Sequence, residues 1–357
     1  MRIIAIVNQK GGCGKTTVSI NLASALAEVG RKTLLVDMDP QSHCAVGLAV
    51  PEEQIEQSIY DVLISRSRNE PIKLTEILWQ ISDKLQLAPA SIDLSAFEQQ
   101  MAGIADRQSC LDNVLSEMDG EFDYAIIDCP PAVGLLTFNA LRAATDVIVP
   151  VETGYFALHG LSKQLETLSV LCERYSQHVE VRVLASMYDV RTKMAREIMG
   201  ELRTHFADKM FTTTVNFNTK LKEAASFGQP ISEYDPSSKG QVDFRSLAEE
   251  VISFEAKQQR HQIVNSLSGQ LAAISSTADE LMAAAKKPAI RAVQAPKTEK
   301  PERVADGNSV ERAEKPGDNR DIDARLSNYY GVSQINDAIV FVTLYPRAGS
   351  VQIAGDF

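Results

Sequence analysis

Six short runs of apolar, often β-branched residues punctuate the first 186 residues of the chain. They are IIAIV (3–7), TLLVD (33–37), LQLAP (85–89), YAIID (124–128), DVIVP (146–150) and VRVLAS (181–186). Continuous apolar runs of this length predict strands buried on both faces of a parallel sheet. Between them lie amphipathic helical patterns such as TTVSINLASALAEVG, which ends in a glycine stop at Gly30. Strands and helices alternating from residue 1 to about 257 predict a doubly wound α/β domain with a mostly parallel sheet. Ligands of such a domain gather at the carboxyl ends of the strands.

The pattern then changes. From Val264 through Leu267, Leu271, Ile274, Ala278 and Leu281 the apolar positions step by three and four, predicting a helical extension over 258–285. The spacing suits a coiled-coil seam, a helix packed on its own domain, or, with its Ser/Gln-rich polar face, less well a helix lying on a membrane. Residues 286–328 are rich in proline and charge and poor in large apolar side chains, with ten basic residues against eight acidic. That composition predicts a disordered linker. In the last segment, 329–357, AIVFVTLYP and SVQIAG read as two strands joined by RAG.

Composition narrows the class. A formal net charge of -11 disfavours a protein that coats polyanions, though a local basic patch remains compatible with it. The five cysteines show no C-x-x-C spacing, and no export signal or membrane-length apolar run is evident. Reduced thiols and a cytoplasmic location are therefore expected.

The chemistry concentrates in NQKGGCGKTT (8–17), between a predicted strand and a predicted helix. In that context glycines let backbone N–H groups approach phosphate oxygens. Gly11, Gly12, Cys13 and Gly14 form the loop, and Lys15 neutralises the terminal phosphates. The Thr16 hydroxyl ligates Mg²⁺, and Thr17 meets the α-phosphate at the positive helix end. This is the loop of a P-loop NTPase, yet it departs from G-x-x-x-x-G-K-[ST], because Gln9 stands where the first glycine belongs and Lys10 follows it. Two lysines of one subunit repel each other at the same phosphate, so Lys10 is better placed for the nucleotide of a second subunit.

K-G-G-x-G-K-T-T resembles the deviant Walker A signature of the ParA/MinD family of ATPases. The resemblance implies ATP and Mg²⁺ as cofactors, and a nucleotide-sandwich homodimer in which Lys10 acts catalytically across the interface, beside Lys15 in its own site. LLVDMDPQSH (34–43) is similar to the family's D-x-D-P-Q switch, and period-two geometry would turn Asp37 and Asp39 to the same side. The match gives Asp39 the attacking water and Asp37 the metal's hydration shell. YAIIDCPPAVG (124–134) resembles the second switch, with Asp128 as the Walker B acid. Cys13 and Cys129 flank this site and read as packing residues rather than redox groups.

Later segments resemble the ParA/Soj branch. VIVPVETGYFALHGL (147–161) carries His159 where an acidic residue is usual. In VNFNTKLKEAASFGQPISEYDPSSKG (215–240), Asn216 replaces the usual proline and Phe217 the usual arginine. Asn216 is the candidate contact to the base. Arg191, Lys220 and, beside it, Lys222 match the segments that bind DNA without sequence preference in that branch. Residues 182–222 hold eight basic side chains against four acidic, the excess that phosphate contacts require.

What this implies is an ATP-dependent dimerising ATPase, nucleoid-associated in its ATP state. With a ParB-like or cargo-adaptor activator, it would position a plasmid, chromosome region or protein cargo. The competing readings are a membrane-surface switch of the MinD type, a ligase-like enzyme using the same loop, and a polysaccharide-associated regulator. The last rests on IVFVTLYPRAGSVQIAGDF (339–357), which resembles the opening of the glycogen-binding modules of AMP-activated kinases.

Overall fold

The computed structural model describes residues 1–66, 71–154, 157–174 and 179–254, and the backbone of strands at 331–335 and 338–342. The predicted helical extension (258–285) and linker (286–328) lie outside the described residues.

Seven strands form one sheet in the order β3-β4-β2-β5-β1-β6-β7. They are β1 (Arg2–Ile6), β2 (Thr33–Asp37), β3 (Trp79–Ser82), β4 (Leu85–Ala88), β5 (Tyr124–Asp128), β6 (Asp146–Glu152) and β7 (Glu180–Ser186). All neighbours pair in parallel except β3 with β4. The six predicted runs are the six parallel strands. β2 and β5 are buried at every position, which is why they read as unbroken apolar text rather than as alternation.

β3 is the strand that the apolar pattern did not announce. It lies at the sheet edge, none of its four residues is buried, and a register shift interrupts its pairing. Edge strands need no continuous apolar run.

Helices α1 (Lys15–Glu28), α2 (His43–Gly47), α3 (Ile59–Ser65), α4 (Phe97–Gln100), α5 (Cys110–Ser116) and α6 (Leu135–Ala143) occupy the first part of the fold. They are followed by α7 (Ala157–Arg174), α8 (Lys193–Phe206), α9 (Thr219–Ser226) and α10 (Ile231–Tyr234), and residues 239–254 are helical. α1 follows β1 directly and is buried on most of its length, from Val18 to Ala27. At the amino ends of the strands, Arg2 clamps buried Asp146 through two bonds of 2.8 and 2.6 Å. Its remaining terminal nitrogen reaches the carbonyl of Val251 at 2.7 Å, joining β1, β6 and the 239–254 helix.

In the C-terminal segment Ala338–Val342 is a strand as predicted, and it pairs antiparallel with Gly331–Ile335, a strand that the apolar pattern did not announce. Ile335 faces Ala338 in register, leaving two intervening residues, Asn336 and Asp337, of the types that two-residue hairpin turns favour. The SVQIAG run lies outside the described residues.

Candidate nucleotide-binding site

β5 is inserted between β1 and β2, and this one topological fact assembles the site. Asp128, the last residue of β5, is in register with Ile6 of β1 on one side and with Asp37 of β2 on the other. The loop after β1 and the ends of two carboxylate-bearing strands therefore open at the same place, where doubly wound sheets bind ligands.

In the loop, Gly12 and Gly14 adopt φ of 72° and 89°, a region that glycine enters without steric cost. A Cβ built on Gly11, Gly12 or Gly14 meets no atom within 4 Å, so the backbone leaves room for phosphate oxygens against its N–H groups. Gly14 caps α1, whose first turn carries no acidic residue, and the positive helix end is aimed at the same space. Lys15, on the first turn, is buried. Ser186 at the end of β7 donates to the Cys13 carbonyl at 2.8 Å, fixing the loop from below.

The acidic side is tightly built. Thr16 Oγ1 donates to Asp128 Oδ2 at 2.7 Å, and Ser19 Oγ donates to Asp128 Oδ1 at 2.8 Å. Asp37 accepts the backbone N–H groups of Asp39 and Cys44, each at 3.0 Å. Asp37 and Asp128 are fully buried, and Asp37, Cys44 and Asp128 each bring a ligand atom within 4.8 Å of the others.

Burial pushes the Asp128 carboxyl up, while the Thr16 and Ser19 hydroxyls and the Lys15 charge pull it back. Burial, then the facing charge of Asp128, pushes Asp37 well above the usual carboxylate range. Two buried carboxylates with a threonine hydroxyl beside them are hard oxygen donors, and they fit Mg²⁺. Burial also pushes the thiols of Cys44 and Cys129 well up and that of Cys13 up. They stand as neutral packing thiols, in keeping with the reading of Cys13 and Cys129.

Asp39 lies just beyond the strand, near enough for its charge to push up the carboxyls of both Asp37 and Asp128. β2 ends at Asp37, so strand alternation no longer governs the second carboxylate. Asp39 instead starts a turn: its carbonyl accepts Ser42 N–H at 2.9 Å and its Oδ1 accepts Gln41 N–H at 3.0 Å. The two aspartates are linked by the Asp39 N–H, which donates to Asp37 Oδ1.

Lys10 stands at the entrance. Its N–H is held by Asn8 Oδ1 at 2.8 Å, while Asn8 Nδ2 donates to the Pro150 carbonyl of β6 at 2.6 Å. Gln9 N–H is taken by Gln164 of α7 at 2.9 Å. The Lys10 ammonium meets Glu152, the last residue of β6, at 2.6 Å.

The segments expected to contact the base and DNA come together. Tyr188 bridges to Asn216, and Phe217 N–H donates to the Tyr188 carbonyl at 3.0 Å. Together with Asp189, Val190, Arg191, Asn218, Thr219 and Lys239 they line a pocket of about 340 Å³. Asn216 is partly committed already: its backbone N–H and its side-chain amide donate to Asp243 at 2.9 and 2.8 Å.

The three candidate DNA cations are exposed but not bare. Arg191 is clamped by Asp189 at 2.7 and 2.8 Å, which holds that carboxyl down to about 2. Lys220 pairs with Glu223 at 2.8 Å. Lys222 lies over the Phe217 ring, 5.8 Å from its centroid. The excess of basic residues counted in the sequence is thus partly cancelled at the surface by local carboxylates.

Ser19, Cys44, Ser186 and Glu152 are site residues that the motif reading missed. Ser19 had a signal, since it lies three residues beyond Thr16 and so on the same helical face. Cys44 and Glu152 had none; each is delivered by a neighbouring element folding back.

Loop, strand order and paired acids define a P-loop nucleoside-triphosphatase. Comparison with known proteins gives the family. The AAA domain family model matches residues 1–181. Over 254 residues, 71% of this chain and 98% of the relative, the sequence is 40% identical to the sporulation initiation inhibitor protein Soj of Bacillus subtilis. It is 40% identical to the chromosome partitioning protein ParA of Myxococcus xanthus, covering 70% of this chain and 88% of that one. Among solved structures, cobyrinic acid a,c-diamide synthase from Mycobacterium smegmatis with bound ADP and magnesium superposes with a TM-score of 0.61 at 30% identity, over 70% and 94% of the two chains. The chain belongs to the ParA/Soj/MinD family of deviant Walker A ATPases. The tail's likeness to a glycogen-binding module gains no support from these comparisons. No helix among the described residues is long and apolar enough to cross a membrane.

Proposed function

We propose that this chain is a partition-type ATPase that dimerises on ATP, binds DNA without sequence preference, and positions a DNA region or protein cargo. The observation that carries the reading is the convergence of the glycine loop, Lys15 and the buried Asp37–Asp128 pair at one strand edge, with a second lysine, Lys10, at its rim. Relatives 40% identical are named as a partitioning protein and as Soj, which favours partition over a ligase-like use of the same loop.

In this reading Gly11, Gly12, Cys13 and Gly14 present backbone N–H groups to the phosphates. Lys15 neutralises the terminal phosphates, and Thr17 receives the α-phosphate. Thr16, Asp37 and Asp128 hold Mg²⁺, which when bound offsets phosphate charge. Asp39 accepts a proton from, or orients, the attacking water. Lys10 of each subunit stabilises charge on the other subunit's phosphates. Asn216 borders the base. Arg191, Lys220 and Lys222 contact DNA phosphates, and dimerisation doubles that surface, so DNA affinity follows ATP by avidity. A ParB-like or cargo-adaptor protein stimulates turnover, and the ATP state resides on the nucleoid.

The test is a duplex retardation assay with and without a non-hydrolysable ATP analogue, paired with sedimentation on anionic lipid vesicles. ATP-dependent retardation of unrelated duplexes supports the proposal. Absence of retardation at low salt together with vesicle binding would replace it with a membrane-surface switch.

A further inference from the structure

The acidic side chains are distributed unevenly over the fold. Residues 40–65 hold four and residues 85–106 hold three, and neither stretch contains a lysine or an arginine. Folding brings the two stretches together. Ser42 Oγ donates to the Ala90 carbonyl at 2.8 Å, and Ile59 N–H donates to the Pro89 carbonyl at 2.9 Å. Between them opens a cavity of about 300 Å³ whose lining includes Pro40, Glu52, Ile55, Ala90 and Ile92. Ile92 is 66% exposed, an aliphatic side chain left largely in water. Glu52 lines the opening, and Glu53, Glu56 and Asp93 each adjoin a lining residue in sequence. All four carboxylates are exposed, and none of them has an ion-pair partner among the described residues. The carboxylates beside Arg191 and Lys220, by contrast, are already paired.

An unpaired acidic rim around an apolar opening selects its occupant. Nucleic acid and anionic lipid carry the rim's own charge and are repelled. A neutral segment would strip water from the carboxylates without replacing it. A segment with cations flanking an aliphatic side chain satisfies both parts. We propose that this cavity is a docking surface for a lysine- or arginine-rich segment of a partner protein. Its aliphatic anchor enters beside Ile55 and Ile92, while its cations meet Glu52, Glu53, Glu56 and Asp93. The cavity wall also supports a candidate catalytic group. Gln41 N–H holds Asp39 Oδ1 at 3.0 Å, and Pro40, Gln41 and Ser42 all line the opening. A docked segment therefore touches the turn that carries Asp39. Docking at this rim requires neither DNA binding nor the trans-acting role of Lys10.

The probe is a fluorescein-labelled peptide with one isoleucine between two pairs of arginines, titrated by anisotropy into the wild-type full chain. A peptide with serine in place of each arginine is the control. Saturable one-to-one binding of the arginine peptide is expected, and none of the control. Each exposed ion pair contributes about 1.4- to 5-fold, so Glu52→Gln with Glu53→Gln and Glu56→Gln should weaken binding by about 3- to 125-fold. Ile92→Ser should weaken it by about 4-fold for each methylene-sized group left uncovered. Asp83→Asn with Glu121→Gln and Glu233→Gln removes the same number of exposed carboxylates elsewhere, and should change it by less than about 2-fold. Every substituted side chain is exposed, so the fold is kept, as melting curves will check.

Equal losses from the two triple variants would reduce the effect to bulk charge and overturn the proposal. So would unchanged affinity in Ile92→Ser, or no binding at about 1 mM peptide. Sedimentation velocity without peptide tests a second copy of the chain as the occupant. Self-association of wild type that the Glu52, Glu53 and Glu56 variant loses would make the partner another copy and overturn docking of a separate protein. Identical sedimentation of the two supports it.

Discussion

Replacing Asp128 with asparagine should make the nucleotide-free protein more stable while abolishing its response to Mg-ATP. Asp128 and Asp37 are fully buried neighbours in register, with ligand atoms within 4.8 Å. At that distance and an effective dielectric of about 20, repulsion between two ionised carboxylates is about 3.5 kcal/mol. Asparagine keeps the size and hydrogen-bonding capacity of the side chain but converts two charge-assisted bonds, from Thr16 and Ser19, to neutral ones. That loses about 1 kcal/mol apiece. The net gain is about 1–2 kcal/mol, or about 2–8 °C in melting temperature for a domain of this size.

The pH dependence has a definite sign. Both carboxyls titrate higher in the folded protein than in the unfolded chain. Between the ordinary carboxylate value and the raised folded values, the native state therefore binds more protons than the unfolded state. Stability then falls as pH rises through that window, and the slope should flatten in the variant. Differential scanning fluorimetry in EDTA, then with Mg-ATP, checks both halves. Ligand at about a hundredfold its dissociation constant should stabilise wild type by about 2.7 kcal/mol and the variant by almost nothing. A variant that melts below wild type in EDTA and keeps the full Mg-ATP shift would refute the reasoning.

Asp39→Ala should bind Mg-ATP and accumulate as a dimer that does not turn over, since the proposed water-handling group alone is removed; phosphate release at the wild-type rate would make Asp39 structural. Arg191→Glu with Lys220→Glu should weaken binding to all duplexes alike and flatten its salt dependence, because phosphate contacts carry no base information and each releases counterions. Asp189→Asn frees Arg191 from its clamp and should strengthen retardation, with unchanged affinity arguing that Arg191 faces no phosphate. Asp146→Ala removes both carboxylate bonds from half-buried Arg2 and should cost about 3 kcal/mol in urea unfolding without altering nucleotide affinity in the folded range.

The six parallel strands, the loop and its two lysines, and the carboxylates at positions 37 and 128 were all legible in the chain. Each depends on short-range text: unbroken apolar runs, glycines between strand and helix, an acid closing a strand. Strand order was not legible. That β5 enters between β1 and β2 depends on packing among segments far apart in sequence, and this insertion alone brings Asp37 beside Asp128. The same limit hid edge strand β3, whose pairing needs no apolar signature, and the turn that begins at Asp39. It hid the carboxylates that cancel Arg191 and Lys220, because a count of charges does not say which of them touch. Lys10 shows the division most plainly. The sequence marked it as one lysine too many for a single phosphate site, while only the fold, by ending β6 at Glu152 beneath the loop, decided what holds it when no second subunit is there.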